Sequence, residues 1–328
     1  MKVLVTGGAG FIGYHLALRL SAKGFDVQIA EDFSRGKTDR LFKEFAKRKN
    51  VKVVRIDLTE KSEFSKLEKD VDVVAHLAAI NGTKFFYEMP DQVIRVNLES
   101  LLNVIEWTVK SRAKKILFAS SSETYAGTMD RGECPIPTPE DVPLTIGDMK
   151  NPRFSYSISK IAGEAICRYY SEARGIKTVI PRYHNVYGPR MGFEHVIPEL
   201  IMRMLRREDP FLIKGYSQTR SFCYVDDAAG ATVELLSKKS CDGEVVNVGT
   251  QEEIAIEALA KKLFAIGGYH PTLKLEEPPK GSVARRCPDT TKISKRLGWR
   301  PSVSLDDGLK LTFDWYRDNA NVAAKGPT

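Results

Sequence analysis

The sequence predicts an α/β fold, a doubly wound parallel sheet followed by a smaller, mixed α/β C-terminal domain. Three observations carry that expectation. The apolar run Val3-Leu4-Val5 leads into glycines at spacing three (Gly7, Gly10, Gly13), and these into the helical apolar spacing of Leu16, Leu18 and Leu20. Strand-like and helix-like runs then alternate through the first half of the chain. After about residue 178 the pattern loosens into a proline- and glycine-rich region that includes Pro181, Gly188-Pro189, Pro198, Pro210 and Pro278-Pro279.

Taken in order, strands are expected over residues 3–5, 27–30, 51–56, 71–77 and 115–119, and helices over 14–22, 93–109 and 156–173. Shorter helices are expected over 199–207 and 257–263. Right-handed crossovers between parallel strands gather ligands at the carboxyl ends of the strands. Asp57, Ala78-Ala79 and Ser120-Ser121-Ser122 lie just past such ends, so they are expected to line one crevice. The domain division expected is 1–180 for a nucleotide-binding unit, with a return of the chain around 220–250, and 181–328 mainly for substrate.

The first turn has a specific chemistry. A strand, a glycine turn and a helix point unpaired backbone N–H groups at one spot, and the helix dipole favours an anion there. Gly7 permits the turn, Gly10 lets a ligand approach the backbone, and Gly13 lets the helix lie against its strand. This is the arrangement that holds a dinucleotide pyrophosphate. Glu31-Asp32 follow the second strand about twenty residues on, where a carboxylate hydrogen-bonds the adenosine ribose and repels a 2′-phosphate. NAD is therefore expected over NADP, although Arg35 and Lys37 stand close behind as a competing phosphate site.

Composition narrows the class. The 328 residues are 42% hydrophobic and 28% charged, as in ordinary soluble proteins. No apolar run suits a membrane span, and the N-terminus reads as a strand, not a signal peptide. Five scattered cysteines without a C-x-x-C pair suit reduced thiols in a cytoplasm, and the five histidines show no metal-ligand spacing. The net charge of +8 is interleaved with acids, which argues for a solvated surface and against nucleic acid.

Two clusters suggest a reaction. Tyr156 and Lys160 are four apart on an expected helix, so the ammonium can sit beneath the phenol. That cation, with a positive nicotinamide, is expected to depress the phenol toward neutrality, making it a base for a sugar hydroxyl. The hydroxyls of Ser120-Ser121-Ser122, beside Glu123, can bond the same substrate oxygen.

With these residues in place, the chain resembles the extended short-chain dehydrogenases/reductases, the NAD-dependent nucleotide-sugar epimerase/dehydratase group with a Rossmann domain. The likeness runs nearly end to end: Thr6-Gly7-Gly8-Ala9-Gly10-Phe11-Ile12-Gly13, His76-Leu77-Ala78-Ala79, residues 120–125 and 156–160, and Asn185-Val186-Tyr187-Gly188-Pro189. It continues through residues 220–227, Asn247-Val248-Gly249 and Leu297-Gly298-Trp299. The resemblance implies a triad of Ser121, Tyr156 and Lys160, with Tyr156 taking the 4-hydroxyl proton while C4 is oxidised to a ketone. It also implies that Lys160 holds the nicotinamide ribose and that Tyr183 lies beside the nicotinamide. Phe11, Ile12, Leu77, Ala78 and Ala79 would border the cofactor, and Asp57 and Leu58 the adenine. Asn185, Arg220 and Arg286, with Ser122, would face a UDP-linked sugar.

Departures from the family pattern shape the expected reaction. The ribose position is Glu31-Asp32 instead of Asp-Asn, one methylene longer and with an extra charge. Family dehydratases carry Thr-Asp-Glu where this chain has Ser121-Ser122-Glu123, and Ser122 cannot replace the acid, so 4,6-dehydration is disfavoured. The segment around Tyr156 is similar to the 4-epimerases, and 4-epimerisation is the first expectation. Glu123, the 218–222 run and Arg285-Arg286-Cys287-Pro288-Asp289 look like the UDP-glucuronate decarboxylases, which makes decarboxylation the alternative. A non-catalytic NAD-binding sensor is the remote alternative, because both Tyr156 and Lys160 are retained. Extra apolar residues on the helices at 93–109 and 156–173 suggest the family's homodimer.

Overall fold

The computed structural model describes residues 1–278 and 283–319, so Pro279 and residues 320–328 lie outside the described residues. The first half lays down β1 (Lys2–Thr6), β2 (Asp26–Glu31), β3 (Val51–Arg55), β4 (Val73–His76), β5 (Lys115–Phe118), the two-residue β6 (Ser120–Ser121) and β7 (Lys177–Tyr183). The chain then leaves the sheet for β8 (Val186–Tyr187), β9 (Phe211–Lys214), β10 (Thr219–Ser221) and β11 (Cys223–Tyr224), and returns as β12 (Val245–Val248). Across the sheet the order is β3-β2-β1-β4-β5-β7-β12, with β6 beside β7 and every pairing parallel. The sequence order reverses between β1 and β4, which opens a crevice at their carboxyl ends.

The helices among the described residues are α1 (Phe11–Ala22), α2 (Arg40–Phe45), α3 (Thr83–Glu88), α4 (Pro90–Lys110), α5 (Ala126–Asp130), α6 (Phe154–Arg174), α7 (Val196–Leu205), α8 (Val225–Ser237), α9 (Ile256–Gly267), α10 (Thr291–Leu297) and α11 (Leu305–Asp318). Strand alternation divides them between the two faces of the sheet. Val3 and Val5 join Leu16, Leu20, Ala228 and Leu235 of α1 and α8 in one apolar core. Leu4, pointing the other way, joins Leu101, Val104, Ile105 and Cys167 of α4 and α6 in a second. Both faces are thus covered, and an all-parallel sheet requires that.

Local signals explain the helix ends. Pro90 starts α4 at a position where its missing N–H costs nothing, and Gly175, at φ +70°, closes α6 in the left-handed conformation. The helix expected over residues 199–207 begins earlier, at Val196, because Pro198 is tolerated within a first turn. The remaining strands form small sheets beside the crevice: β10 pairs with β13 (Glu253–Ala255), β9 pairs with β14 (Leu273–Glu276), and β15 (Arg285–Arg286) pairs with β10. The β10–β15 pairing carries Arg286 to the mouth of the crevice.

Candidate active site

The glycine loop is built around close backbone approaches. A Cβ on Gly13 would lie 2.1 Å from the Gly7 carbonyl oxygen, and one on Gly7, at φ +69°, would lie 2.8 Å from Ala78 N. Only glycine fits either place. No side chain caps α1 at Gly10, so the first N–H groups of this helix open into the crevice. Gly13→Ala is expected to push α1 off β1 and weaken NAD binding at least about tenfold, which calorimetric titration would measure.

Thr6 fixes the junction of β1 and β4. Its hydroxyl accepts the Leu77 and Ala78 N–H groups, both at 3.2 Å, so its own proton goes to His76 Nδ1 at 2.8 Å. Burial lowers the His76 pKa to about 3, leaving a neutral ring with its proton on Nε2. The sequence motif contained His76, but nothing in the sequence alone assigned this role.

Two adjoining cavities follow the crevice. The smaller, of ≈ 140 Å³, is lined by Glu31, Asp32, Asp57, Leu58, Ala78 and Ala79. Glu31 is committed locally: its carboxylate accepts the Ala9 N–H at 3.0 Å and the Phe33 N–H at 3.2 Å, bracing the glycine loop. Burial raises its pKa and these two bonds oppose the rise. Asp32 is exposed and accepts from the Ser34 N–H and hydroxyl, both at 2.8 Å. Of the competing phosphate ligands, Arg35 lies 4.4 Å over the Phe85 ring, and Lys37 donates to the Arg190 carbonyl at 3.3 Å.

The larger cavity, of ≈ 530 Å³, holds Phe11, Ile12, Leu77, Ser121, Ser122, Glu123, Tyr156, Lys160, Tyr183, Asn185 and Arg286 together. Tyr183 turns its hydroxyl away to Thr232 at 2.7 Å, leaving its ring to the cavity. Asn185, at φ +38°, donates to Ser221 O at 2.9 Å. Arg220 stands apart from the cavity lining. Its guanidinium donates to the carbonyls of Thr219, Ala284 and Val283, and burial lowers its pKa to about 10.

Tyr156 is buried with its ring stacked on Phe86, centroids 5.0 Å apart, and Lys160 Nζ lies 5.4 Å from the same ring. Lys160 spends a proton on the Ala119 carbonyl at 2.8 Å instead of on the phenol. The protein's own groups do not by themselves depress the phenol. Burial raises the Tyr156 pKa and the Glu123 carboxylate adds to the rise, while the Ser121 hydroxyl bond and Arg35 oppose it. A buried phenolate needs a nearby positive charge, and Lys160 Nζ is hydrogen-bonded to the Ala119 carbonyl.

Arg190 was missed by sequence reasoning. It is buried, pairs with Asp39 at 2.8 Å and lies 3.9 Å over the Tyr14 ring, yet its Nη1 has no partner among the described residues. Arg190 lines the larger cavity together with Gly7, Gly10 and Gly13, and an orphaned guanidinium donor on that residue fits the pyrophosphate of NAD. The only sequence signal was its place just after Gly188-Pro189.

Residues 3–249 match the NAD dependent epimerase/dehydratase family. The chain belongs to that family. As a member of it, this enzyme uses NAD and is similar along its whole length to relatives with several reactions. It is 34% identical over 98% of its length, and 99% of the relative's, to a UDP-N-acetyl-alpha-D-glucosaminuronate decarboxylase of Bacillus cytotoxicus. Among solved structures, a UDP-glucuronic acid 4-epimerase of Bacillus cereus in complex with UDP-4-deoxy-4-fluoro-glucuronic acid and NAD superposes with a TM-score of 0.86. The two are 32% identical, and the match covers 97% of this chain and 99% of that one. A UDP-glucose 4-epimerase of Thermotoga maritima with UDP-glucose, also 32% identical, gives 0.84 over 98% and 100% of the two chains. None of the helices among the described residues is long and apolar enough to cross a membrane.

The larger cavity also holds a charged cluster. Glu123 pairs with Arg286 at 2.5 Å and with Arg153 at 3.7 Å, and Arg286 also reaches Ser122 at 3.5 Å. Burial raises the Glu123 pKa, but Arg286, Arg153 and Arg220 together outweigh it and hold the carboxyl ionised. Arg153, just before α6, was not singled out from the sequence.

Proposed function

We propose that this enzyme oxidises C4 of a UDP-linked uronic acid and releases the C6 carboxylate as CO2. The observation that carries this reading is the Glu123–Arg286–Arg153 cluster beside Tyr156. Arg286 lines the larger cavity beside Ser122 and Glu123, is paired with the Glu123 carboxylate, and keeps its Nε buried without a partner among the described residues. A uronate carboxylate can accept a charge-assisted hydrogen bond from a guanidinium at that place, whereas a neutral C6 hydroxymethyl offers only a hydroxyl. Similarity to a decarboxylase and to a structure holding a fluorinated UDP-glucuronic acid supports the same substrate class.

The chemistry supplied by NAD is reversible hydride exchange at C4, with no net redox change. Gly10, the N-terminus of α1 and Arg190 would hold its pyrophosphate, with Asp32 at the adenosine ribose. Tyr156 takes the proton of the 4-hydroxyl at Oη, and Ser121 orients the same oxygen. With a ketone at C4, the C5–C6 bond breaks, CO2 departs, and its electron pair moves onto the C4 oxygen. The Tyr156 and Ser121 hydroxyls then donate to that oxyanion. A solvent-derived proton closes C5. Glu123 anchors Arg286, so the guanidinium grips the carboxylate without swinging into the phenol.

Incubation with NAD and UDP-glucuronate, followed by mass spectrometry, is expected to give a nucleotide sugar lighter by one CO2. The second reading is 4-epimerisation of the uronate, which similarity to two 4-epimerase structures favours. It would appear as a new isomer of unchanged mass, and loss of water would contradict both readings. We further propose a cytoplasmic homodimer. The five cysteines are all free, and Leu102, Val109 and Tyr169 on α4 and α6 are partly or largely exposed where a two-fold partner would pack. Light scattering at micromolar concentration is expected to give twice the mass of one chain, and a monomer mass would refute the dimer.

A further inference from the structure

The acid–base groups of the cavity stand on a second, fully buried polar system. Ser120, the neighbour of Ser121 on β6, donates its hydroxyl to Glu164 Oε1 at 2.5 Å. Glu164 lies one helical turn beyond Lys160 and two beyond Tyr156 on α6. Arg182, next to Tyr183 on β7, closes a bidentate pair on Glu164, with Nε at 2.9 Å and Nη2 at 2.6 Å. Its Nη1 donates to the Tyr125 hydroxyl at 2.8 Å, two residues after Glu123. Tyr125 in turn donates to Asn247 of β12 at 2.8 Å. One ion pair therefore ties together the helix bearing Tyr156 and Lys160, the turn bearing Ser121 to Glu123, and the strand bearing Tyr183.

We propose that Glu164 and Arg182 are a positioning pair for the reaction, holding Ser121 in one frame with Tyr156 and keeping a negative charge beneath Lys160. A buried ion pair contributes little net stability compared with apolar replacements of the same volume, so its fit to the site above is the more specific role. The groups facing Lys160 are few. On α6 they are Tyr156, Glu164 and Cys167; on β4 it is His76; on β5 and just after it they are the Phe118 ring and the Ala119 carbonyl. Burial lowers the Lys160 pKa to about 8, opposed by Cys167 and Glu164. Burial also pushes the Cys167 thiol up and keeps it neutral, and His76 is neutral too, so Glu164 is the working anion.

The proposal rests on Tyr156 and Lys160 being the acid–base pair, and the test separates the two claims. Glu164→Gln/Arg182→Met removes both charges together, so no orphaned ion is left buried. Lys160 should then lose its proton about one unit lower in pH, the low end of what a neighbouring charge does. Isotope-edited NMR of the Lys160 ε-methylene reads this directly, and the alkaline limb of bound-NAD reduction by UDP-glucuronate should move with it. UDP-glucose serves as the probe should wild type reject the uronate. A Lys160 titration that does not move overturns the proposal. Should the double variant fail to fold, Ser120→Ala decides. It is expected to keep NAD affinity and lower the single-turnover rate roughly tenfold, as misplacement of a reacting group does. An unchanged rate overturns the proposal. Wild-type turnover by Tyr156→Phe would instead refute the acid–base assignment itself.

Discussion

Replacing Tyr156 by phenylalanine is expected to lower turnover of the UDP-sugar about 10³-fold while leaving NAD affinity unchanged, since general acid–base catalysis contributes on that scale. The substitution removes one oxygen and little else. The ring keeps its stack on Phe86, 5.0 Å between centroids, and Lys160 keeps its bond to the Ala119 carbonyl. Turnover assays with UDP-glucuronate and titration calorimetry with NAD check the two halves of this expectation. Loss of NAD binding would mean that the phenol holds the cofactor instead of the proton, and undiminished turnover would remove Tyr156 from the chemistry.

Much of this arrangement was legible in the chain. The glycine turn, Glu31-Asp32 and the Tyr156–Lys160 pair are local patterns, and local geometry follows directly from strand, turn and helix spacing. The sheet was legible for the same reason, since apolar runs punctuated by turns set β1 to β5 within a residue or two. What escaped the reading is long-range. Ser120 meets Glu164 across 44 positions, Tyr125 meets Asn247 across 122, and Arg286 meets Glu123 across 163. No spacing rule connects such pairs. The bond that Lys160 makes escaped for a related reason. Helical spacing placed Lys160 below the ring, but the carbonyl that claims its proton belongs to the residue after another strand. Arg220 shows the converse: a motif places it, yet the carbonyls of the 283–284 segment hold its guanidinium outside the cavity lining.

The second large effect is expected at the charged cluster. Arg286→Gln should lower kcat/KM for UDP-glucuronate about 10²-fold, because truncating one member of a buried, hydrogen-bonded charge pair costs 2–5 kcal/mol. Two losses combine in that figure. The uronate loses its guanidinium partner, and Glu123, deprived of its nearest cation, adds a less compensated negative charge where the carboxylate must sit. NAD affinity should be untouched, since Arg286 lies at the sugar end of the larger cavity. Steady-state kinetics with UDP-glucuronate and UDP-glucose side by side provide the check. An equal loss on both sugars would indicate a general folding role for Arg286, and no loss on the uronate would remove the carboxylate from its proposed berth.

In the proposed reaction, a ketone raised at C4 by the Tyr156 base lets the carboxylate at C5 depart. Running UDP-glucuronate with NAD in deuterated water, then locating the label in the product by NMR, addresses it most directly. The expected product is a pentose lacking the carboxylate, with one solvent deuterium on C5 and ordinary hydrogen on C4. A product that keeps its carboxylate, or one that carries deuterium on C4, would contradict it.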